Sequence, residues 1–334
     1  MRTGTVRRGK QAGFILFLTI LLIAVLAVFA VEFSYLMRVR ASQVENRRDD
    51  LAALMGARGG IEAARKVLAE DDSSVDHLGE LWASAAPPLP YGDERGLTVV
   101  SIVDENSKLS LNELVKRDSK GKETLNKLLL AALGRAMEEM DGHSSTANAI
   151  VDWLDGDKAP RGDGGAEAGY YMGLDPPYRP ADGPVYAVEE LLLVRGITSD
   201  VFHGDPEQER IGLRDYLSVY GNAINVNTAS RDVLVALFED EAIPDRIIAE
   251  RKTAPFESIA AQKKKSASAG QDFQSRVPEL DKKAFSKVKG VLTVGSTYFR
   301  VYSRGMVGSA TREVEAVVRK QKSGVKVVYY RVMR

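Results

Sequence analysis

Eighteen consecutive residues, Phe14 to Val31 (FILFLTILLIAVLAVFAV), carry no charge. As a helix rising about 1.5 Å per residue they would span roughly 27 Å, close to the hydrocarbon thickness of a bilayer. The thirteen residues ahead of the run hold Arg2, Arg7, Arg8 and Lys10 and no acid. The basic end should therefore stay cytoplasmic and the rest of the chain should lie on the far side of the membrane. A cleaved secretory signal is the competing reading, and Val28 and Ala30 would suit cleavage after Ala30. The run is longer, however, than the usual signal core of about 7–15 residues.

No proline follows until Pro87. Val44, Leu51, Leu54, Ile61, Ala64 and Leu68 recur at helical spacing, with Glu45, Arg47, Arg48 and Asp50 between them. That pattern predicts one helix from Phe14 to about Glu70, on the order of 85 Å long, apolar all round at first and amphipathic later. Such a helix lies first in lipid and then along a globular domain.

Further on, WASAAPPLPYGDERG (82–96) reads as a loop closing the helix, and LTVVSIV (97–103) as a strand. A mostly helical stretch occupies roughly 110–285, with a polar loop over 261–274. Three alternating segments, STYFRVYSRGMVG, TREVEAVVRK and GVKVVYYRVM, end the chain as strands separated by glycine-containing turns.

Charge and side-chain chemistry exclude several classes of function. Lys plus Arg equals Asp plus Glu, 46 each, so no net charge draws the chain to nucleic acid. There is no cysteine, hence no disulfide, thiolate metal site or thiol nucleophile. His77, His143 and His203 are far apart in sequence and set among polar residues. Gly4 through Lys10 imitates a phosphate loop, but Gln11 stands where Ser or Thr is required and no strand precedes it. No catalytic motif is found.

The acidic residues between 152 and 190 (DWLDGDKAPRGDGGAEAGYYMGLDPPYRPADGPVYAVEE) offer more. Asp155, Asp157, Asp163, Glu167 and Asp182 sit in a Gly/Pro-rich chain with little room for regular structure. Hard cations such as Ca²⁺ collect six to eight oxygens from loops of this kind. The spacing is not that of an EF-hand, since Pro160 and Ala166 occupy the sixth and twelfth positions from Asp155. A solvated acidic loop is the alternative. The segments INVNTASRDVLVALF (224–238), with Asn227 or Thr228 as helix cap, and VEELLLVRGITSDVF (188–202) have the look of helix-hairpin-helix units. Glu239, Asp240, Glu241 and Asp245 at the first unit's turn would repel a phosphate.

The junction Gly13-Phe14, between a basic leader and an apolar run, resembles the cleavage site of type IV prepilins. There the prepilin peptidase cuts after the glycine and the new N-terminal Phe is methylated. Most pilins have glutamate at the fifth mature position; Leu18 stands there in this chain. That departure, the Lys108-x-x-Leu111-Asn112 turn, and the Trp-x-Asp-x-Asp, Gly-Ala-Glu, Tyr-Tyr and Pro-Pro-Tyr-Arg pattern of 152–190 resemble the minor pseudopilin K family of type II secretion. The resemblance implies an α+β fold in which a long N-terminal helix packs on a small antiparallel sheet, with a large all-α insert containing helix-hairpin-helix (SAM-like) units. Its divisions would be a leader (1–13), a transmembrane part (14–35), a pilin-like domain (36–108 and 286–334) and the insert (109–285). It further implies a structural Ca²⁺ on the acidic residues, and a non-enzymatic place at the tip of a periplasmic pseudopilus, anchored in the inner membrane. Its partners would be other minor pseudopilins, the inner-membrane assembly platform and secreted substrates. Docking to the other minor pseudopilins is expected near Leu51, Leu54 and Ile61. A membrane-tethered helix-hairpin-helix DNA receptor and an exported calcium-binding protein are the alternatives.

Overall fold

The computed structural model describes every residue except 1–8, 72–73, 93–94, 141, 206, 208–209, 261–271 and 334. Arg2, Arg7 and Arg8 of the leader, and the loop expected at 261–274 as far as residue 271, lie outside the described residues.

Helix α1 runs unbroken over Gly9–Glu70. Its apolar segment is fully exposed, and it is long and apolar enough to cross a membrane. The last third lies across a five-stranded antiparallel sheet of order β1-β2-β3-β4-β5: β1 (Leu89–Tyr91), β2 (Gly96–Asp104), β3 (Tyr298–Val307), β4 (Ala310–Gln321) and β5 (Gly324–Met333). Strict alternation on β3 turns Phe299 and Val301 toward the helix, where they join Val314, Ala316, Val318, Val325 and Trp82. Trp82 meets Phe299 edge to face at 5.1 Å.

The helix residues buried in this core are Ala53, Ala57, Ile61, Ala64 and Leu68. The face expected from the sequence is therefore corrected in its first half. Val44 and Leu51 are exposed and Leu54 is only half-buried, whereas alanines and glycines make the contact. Small residues are needed because the backbones approach closely. A methyl group at Gly60 would overlap Ser303, and one at Gly305 would run into the Ala53 carbonyl.

These contacts also orient the domain. Gly305 lies beside Ala53, Ser303 beside Gly60, and the Lys320 ammonium 2.6 Å from Asp71, just past the helix end. The ends of β2 and β3 that carry Asp104 and Phe299 are paired with each other, and they lie toward the membrane-distal end of α1. The long insert leaves and re-enters the sheet at this one corner.

The insert is not all α. Its helices include α2 (Lys127–Glu139) and α3 (Thr146–Leu154). Between the helices run short ladders: Leu109–Ser110 parallel to Leu217–Ser218, Ile224–Asn225 parallel to Leu292–Thr293, and Val115–Arg117 antiparallel to Glu123–Leu125. These ladders stitch distant segments together around one large core containing Leu111, Leu133, Ile150, Tyr171, Phe202, Leu234 and Phe273.

Three further expectations are revised. The loop at 82–96 contains a 3₁₀ turn, Leu81–Ala83, and strand β1, which pairs with β2. The helix Arg231–Leu237 is capped by Ser230, whose hydroxyl accepts from the Val233 N–H at 3.2 Å. Asn227 instead bonds the backbone of Phe256, and Thr228 donates to Asp104. Phe273, expected in a polar loop, is fully buried and opens the short helix Phe273–Arg276.

Candidate functional site

Helix α3 ends in the sequence Asp152-Trp153-Leu154-Asp155, which places two carboxylates three residues apart at its C-terminal end. The chain then turns through Gly156–Gly164 and returns beside the helix at Gly165-Ala166-Glu167. Gly165 is required at the return, because a Cβ there would sit 2.6 Å from Asp152 Oδ2. That oxygen accepts from the backbone N–H groups of Arg161 at 3.0 Å and Ala166 at 2.8 Å. The three buried acids Asp152, Asp155 and Glu167 offer oxygens all within 4.8 Å of one another.

One oxygen of each is unsatisfied. Asp152 Oδ1, Asp155 Oδ1 and Glu167 Oε1 are buried without a hydrogen-bond partner. Arg161 offsets part of the charge, with Nη2 3.3 Å from Asp155 Oδ2 and Nε 3.9 Å from Asp152 Oδ1. The remaining imbalance is visible at Glu167. Burial, followed by the fields of Asp152, Asp155, Asp157 and Asp182, pushes its carboxyl up to about 7. Burial likewise raises Asp152 and Asp155. Converging buried carboxylate oxygens without donors are groups that could hold a hard cation.

The sequence-predicted residues divide. Asp155 and Glu167 are in the cluster. Asp157 and Asp182 are exposed but near enough to act on Glu167, and the Asp182 carbonyl is fixed by Arg117 Nη2 at 2.9 Å. Asp182 also adopts a left-handed backbone, φ 47°. Asp163 is exposed and does not join the three clustered acids; its carbonyl accepts from Asn148. Asp152 was missed. Its three-residue spacing to Asp155 at a helix end was the available signal. Beneath the site Trp153, Tyr171 and Tyr178 form an aromatic floor, with centroids 5.2 Å apart for Trp153–Tyr171 and 5.4 Å for Tyr171–Tyr178.

A second acidic group, Asp71, Asp76 and Glu80, is held differently. Lys320 Nζ lies 2.6 Å from Asp71 and 3.2 Å from Asp76, so a side-chain ammonium already balances it. None of the three histidines joins either group. At the N-terminus, Gly13 and Phe14 lie within α1; Phe14 is exposed, and nothing stands within 4 Å of where a side chain on Gly13 would begin.

Comparison with known proteins identifies relatives of the chain. Two family models described as Type II secretion system (T2SS), protein K match residues 107–204 and 224–281. Type II secretion system protein K of Pseudomonas aeruginosa is 29% identical over 332 residues, covering 95% of this chain and 91% of the relative. The protein of the same description from Aeromonas hydrophila is 27% identical and covers 92% of each chain. In fold, the chain superposes with a TM-score of 0.66 and 19% identity on a chain of the crystal structure of the GspK–GspI–GspJ complex from the type 2 secretion system of enterotoxigenic Escherichia coli. The match covers 89% of this chain and 99% of that one.

Proposed function

The chain is a relative of type II secretion system protein K, and from that premise we propose that it is a minor pseudopilin of such a system, seated at the tip of the pseudopilus. The observation that carries the tip position is the place of the insert. It springs from the end of the sheet beside Asp71, beyond the last turn of α1. Bulk at that end would obstruct a subunit stacked above and is harmless where none follows. The N-terminus supports the same reading. An entering pilin needs an acid near its new N-terminus to balance the amine of the subunit above it, because an uncompensated charge in lipid is costly. Leu18 and the uncharged run around it suit a first subunit, which has nothing above it to balance.

In this reading the prepilin peptidase cuts between Gly13 and Phe14, and Phe14 is methylated. The apolar part of α1 stays in the inner membrane, with the remaining domain in the periplasm. The assembly platform receives the helix, other minor pseudopilins bind alongside it, and secreted substrates meet the insert. The role is structural, not enzymatic. The helix pairs flanking Gly196 and residues 238–241 serve as helix-hairpin-helix packing units without nucleic acid. The relatives found are secretion proteins and lend no support to a DNA receptor or an exported calcium protein.

The acidic centre fits Ca²⁺ as a structural ion. Asp152, Asp155 and Glu167 would hold it, with Asp157 and Asp182 acting on Glu167 from nearby. The ion would supply the charge that three unsatisfied carboxylate oxygens lack, tying the 156–167 turn to the end of α3. Co-purification of the periplasmic part with the other minor pseudopilins of its own system tests the proposed function. Failure to bind any of them contradicts it.

A further inference from the structure

The five-stranded sheet has two edges, and they are guarded unequally. At one edge β1 is three residues long and contains Pro90. Short length and proline are devices by which natural sheets discourage an added strand. At the other edge β5 runs for ten residues and pairs with β4 alone. Its membrane-distal part is closed. Arg65 Nη2 donates to the Val325 carbonyl at 2.9 Å, Val325 is buried, and the ladder shifts register between Val317 and Val318. Past that shift, residues 329–333 pair regularly with residues 313–317 of β4. Here the apolar side chains stay exposed, Tyr330 by 43% and Val332 by 41%. Lipid does not reach them. Met333 is level with Glu313, one residue along from the Gly305–Arg312 pair beside Ala53, and Ala53 stands roughly 33 Å beyond Val31 along α1.

The two faces of this edge differ in chemistry. Tyr330 and Val332 pair with Ala316 and Val314, which belong to the core under α1, so their side chains lie on the helix side. The Tyr330 hydroxyl there accepts from Arg58 Nε at 3.2 Å. Lys326 and Arg331 lie on the opposite face, across from Arg319 and Glu315, and both are exposed. These are the only charges on β5, and both are positive. The acids of the adjoining elements are already engaged: Glu315 by Arg300, Glu313 by Arg304 and Glu62 of α1 by Arg65. Among the described residues no ion pair involves Arg58, Lys326 or Arg331.

We infer that residues 329–333 of β5 are a docking edge for an extended segment of another protein, which adds to the sheet as a sixth strand with apolar residues toward α1 and acids on the opposite face. An unpaired edge offers a row of backbone N–H and C=O groups that another extended backbone matches rung for rung. Successive side chains of the guest strand point to opposite faces. Its apolar residues cover Tyr330 and Val332, and its acids meet Arg331, which has no ion pair within the chain. Opposite charges on neighbouring strands stabilise the pairing and like charges oppose it. A second copy of this chain is therefore disfavoured, since its own β5 brings only cations.

The probe is a short, capped, fluorescent peptide of alternating valine and glutamate, titrated onto the full-length chain in detergent micelles and followed by anisotropy and amide hydrogen exchange. Saturable binding is expected, with exchange slowed in residues 329–333. The same peptide methylated on alternate backbone nitrogens should not bind, because it cannot complete the ladder. A valine–lysine peptide should bind about tenfold more weakly, since it sets like charges against Arg331. Arg331→Glu should reverse the preference between the two peptides, a result that damage to the fold would not produce. Absence of saturable binding, equal binding of the methylated peptide, slowed exchange elsewhere than β5, or a preference unchanged in Arg331→Glu would each overturn the assignment. So would association of the chain with itself through β5.

Discussion

Ser296 Oγ donates to Asp104 Oδ2 at 2.6 Å, closing a contact between residues 192 apart in sequence. Asp104 ends β2, and Ser296 lies two residues before β3, so the bond sits where the insert leaves and rejoins the sheet. Thr228 Oγ1 donates to the same oxygen at 2.5 Å, and the Asn106 N–H donates to Oδ1 at 2.7 Å. Asn225 Nδ2 ties Ser296 Oγ at 2.8 Å and the Asp76 carbonyl at 2.9 Å into the same network. Replacing Asp104 by Ala orphans several buried donors at about 1–3 kcal/mol each. We expect a loss on the order of 3 kcal/mol or more in urea unfolding of the domain that follows the apolar segment of α1, with the insert and sheet separating into two transitions. A single transition with an unchanged midpoint would contradict the role of Asp104 as the joint.

Arg300 provides a second tie at that corner. Its Nε lies 2.6 Å from Glu105 Oε1, its Nη1 bonds Glu315, and Ser218 of the insert bonds the other Glu105 oxygen. Glu105 is 1% exposed at its side chain and Arg300 17%. Removing one partner of a buried pair costs about 3–5 kcal/mol, whereas replacing both by apolar residues costs far less. Arg300→Met alone should therefore lower the unfolding free energy by about 3 kcal/mol. The Glu105→Leu/Arg300→Met double variant should recover a large part of that loss. A strictly additive double variant would count against the coupling.

The ladders and the acidic site show why part of this architecture was legible in sequence and part was not. Helix α1 and strands β3 to β5 are long and periodic, so spacing alone reveals them. Strand β1 is only Leu89-Pro90-Tyr91 inside a proline-rich stretch, and the insert's ladders are two or three residues long, too short to show a period. The inward face of α1 was misjudged because apolar residues lie on two faces. Only the close approach at Gly60 and Gly305 decides which of them meets the sheet. Asp152 escaped notice because helical periodicity accounts for it, whereas Asp163 looked like a ligand from its acidic, glycine-rich surroundings.

If the acidic centre takes Ca²⁺ as proposed, the ion should stabilise the domain that follows the apolar segment of α1 by mass action. Melting should rise with millimolar Ca²⁺ and fall with chelator, and Asp152→Asn or Glu167→Gln should abolish the response while Asp163→Asn leaves it intact. An equal effect at Asp163 would contradict the ligand assignment.

The same site sets a pH dependence in chelator. Folded Glu167 keeps its proton up to about 7 whereas the unfolded chain releases it near the ordinary 4.5. The folded state therefore binds more protons in that window, and stability falls as pH rises through it. Ca²⁺ requires the ionised carboxylates, so its stabilising effect should grow from pH 5 to pH 7.5. Glu167→Gln should flatten the metal-free slope. A slope unchanged in this variant would remove Glu167 as its source.

Processing gives a fifth expectation. If the proposed prepilin-type cut falls after Gly13, Gly13→Leu should leave the full-length precursor in the membrane. N-terminal sequencing of the unaltered mature chain should begin at methylated Phe14. A start at Val31 would point to signal-peptide release and contradict a retained membrane helix.

The tip position is the central claim, and electron microscopy of assembled pseudopili tests it directly. The insert is tagged in its 261–271 segment and gold-labelled on filaments assembled with the other pseudopilins. One label at a single end of each filament is the predicted result. Label spaced along the filament's length would contradict it.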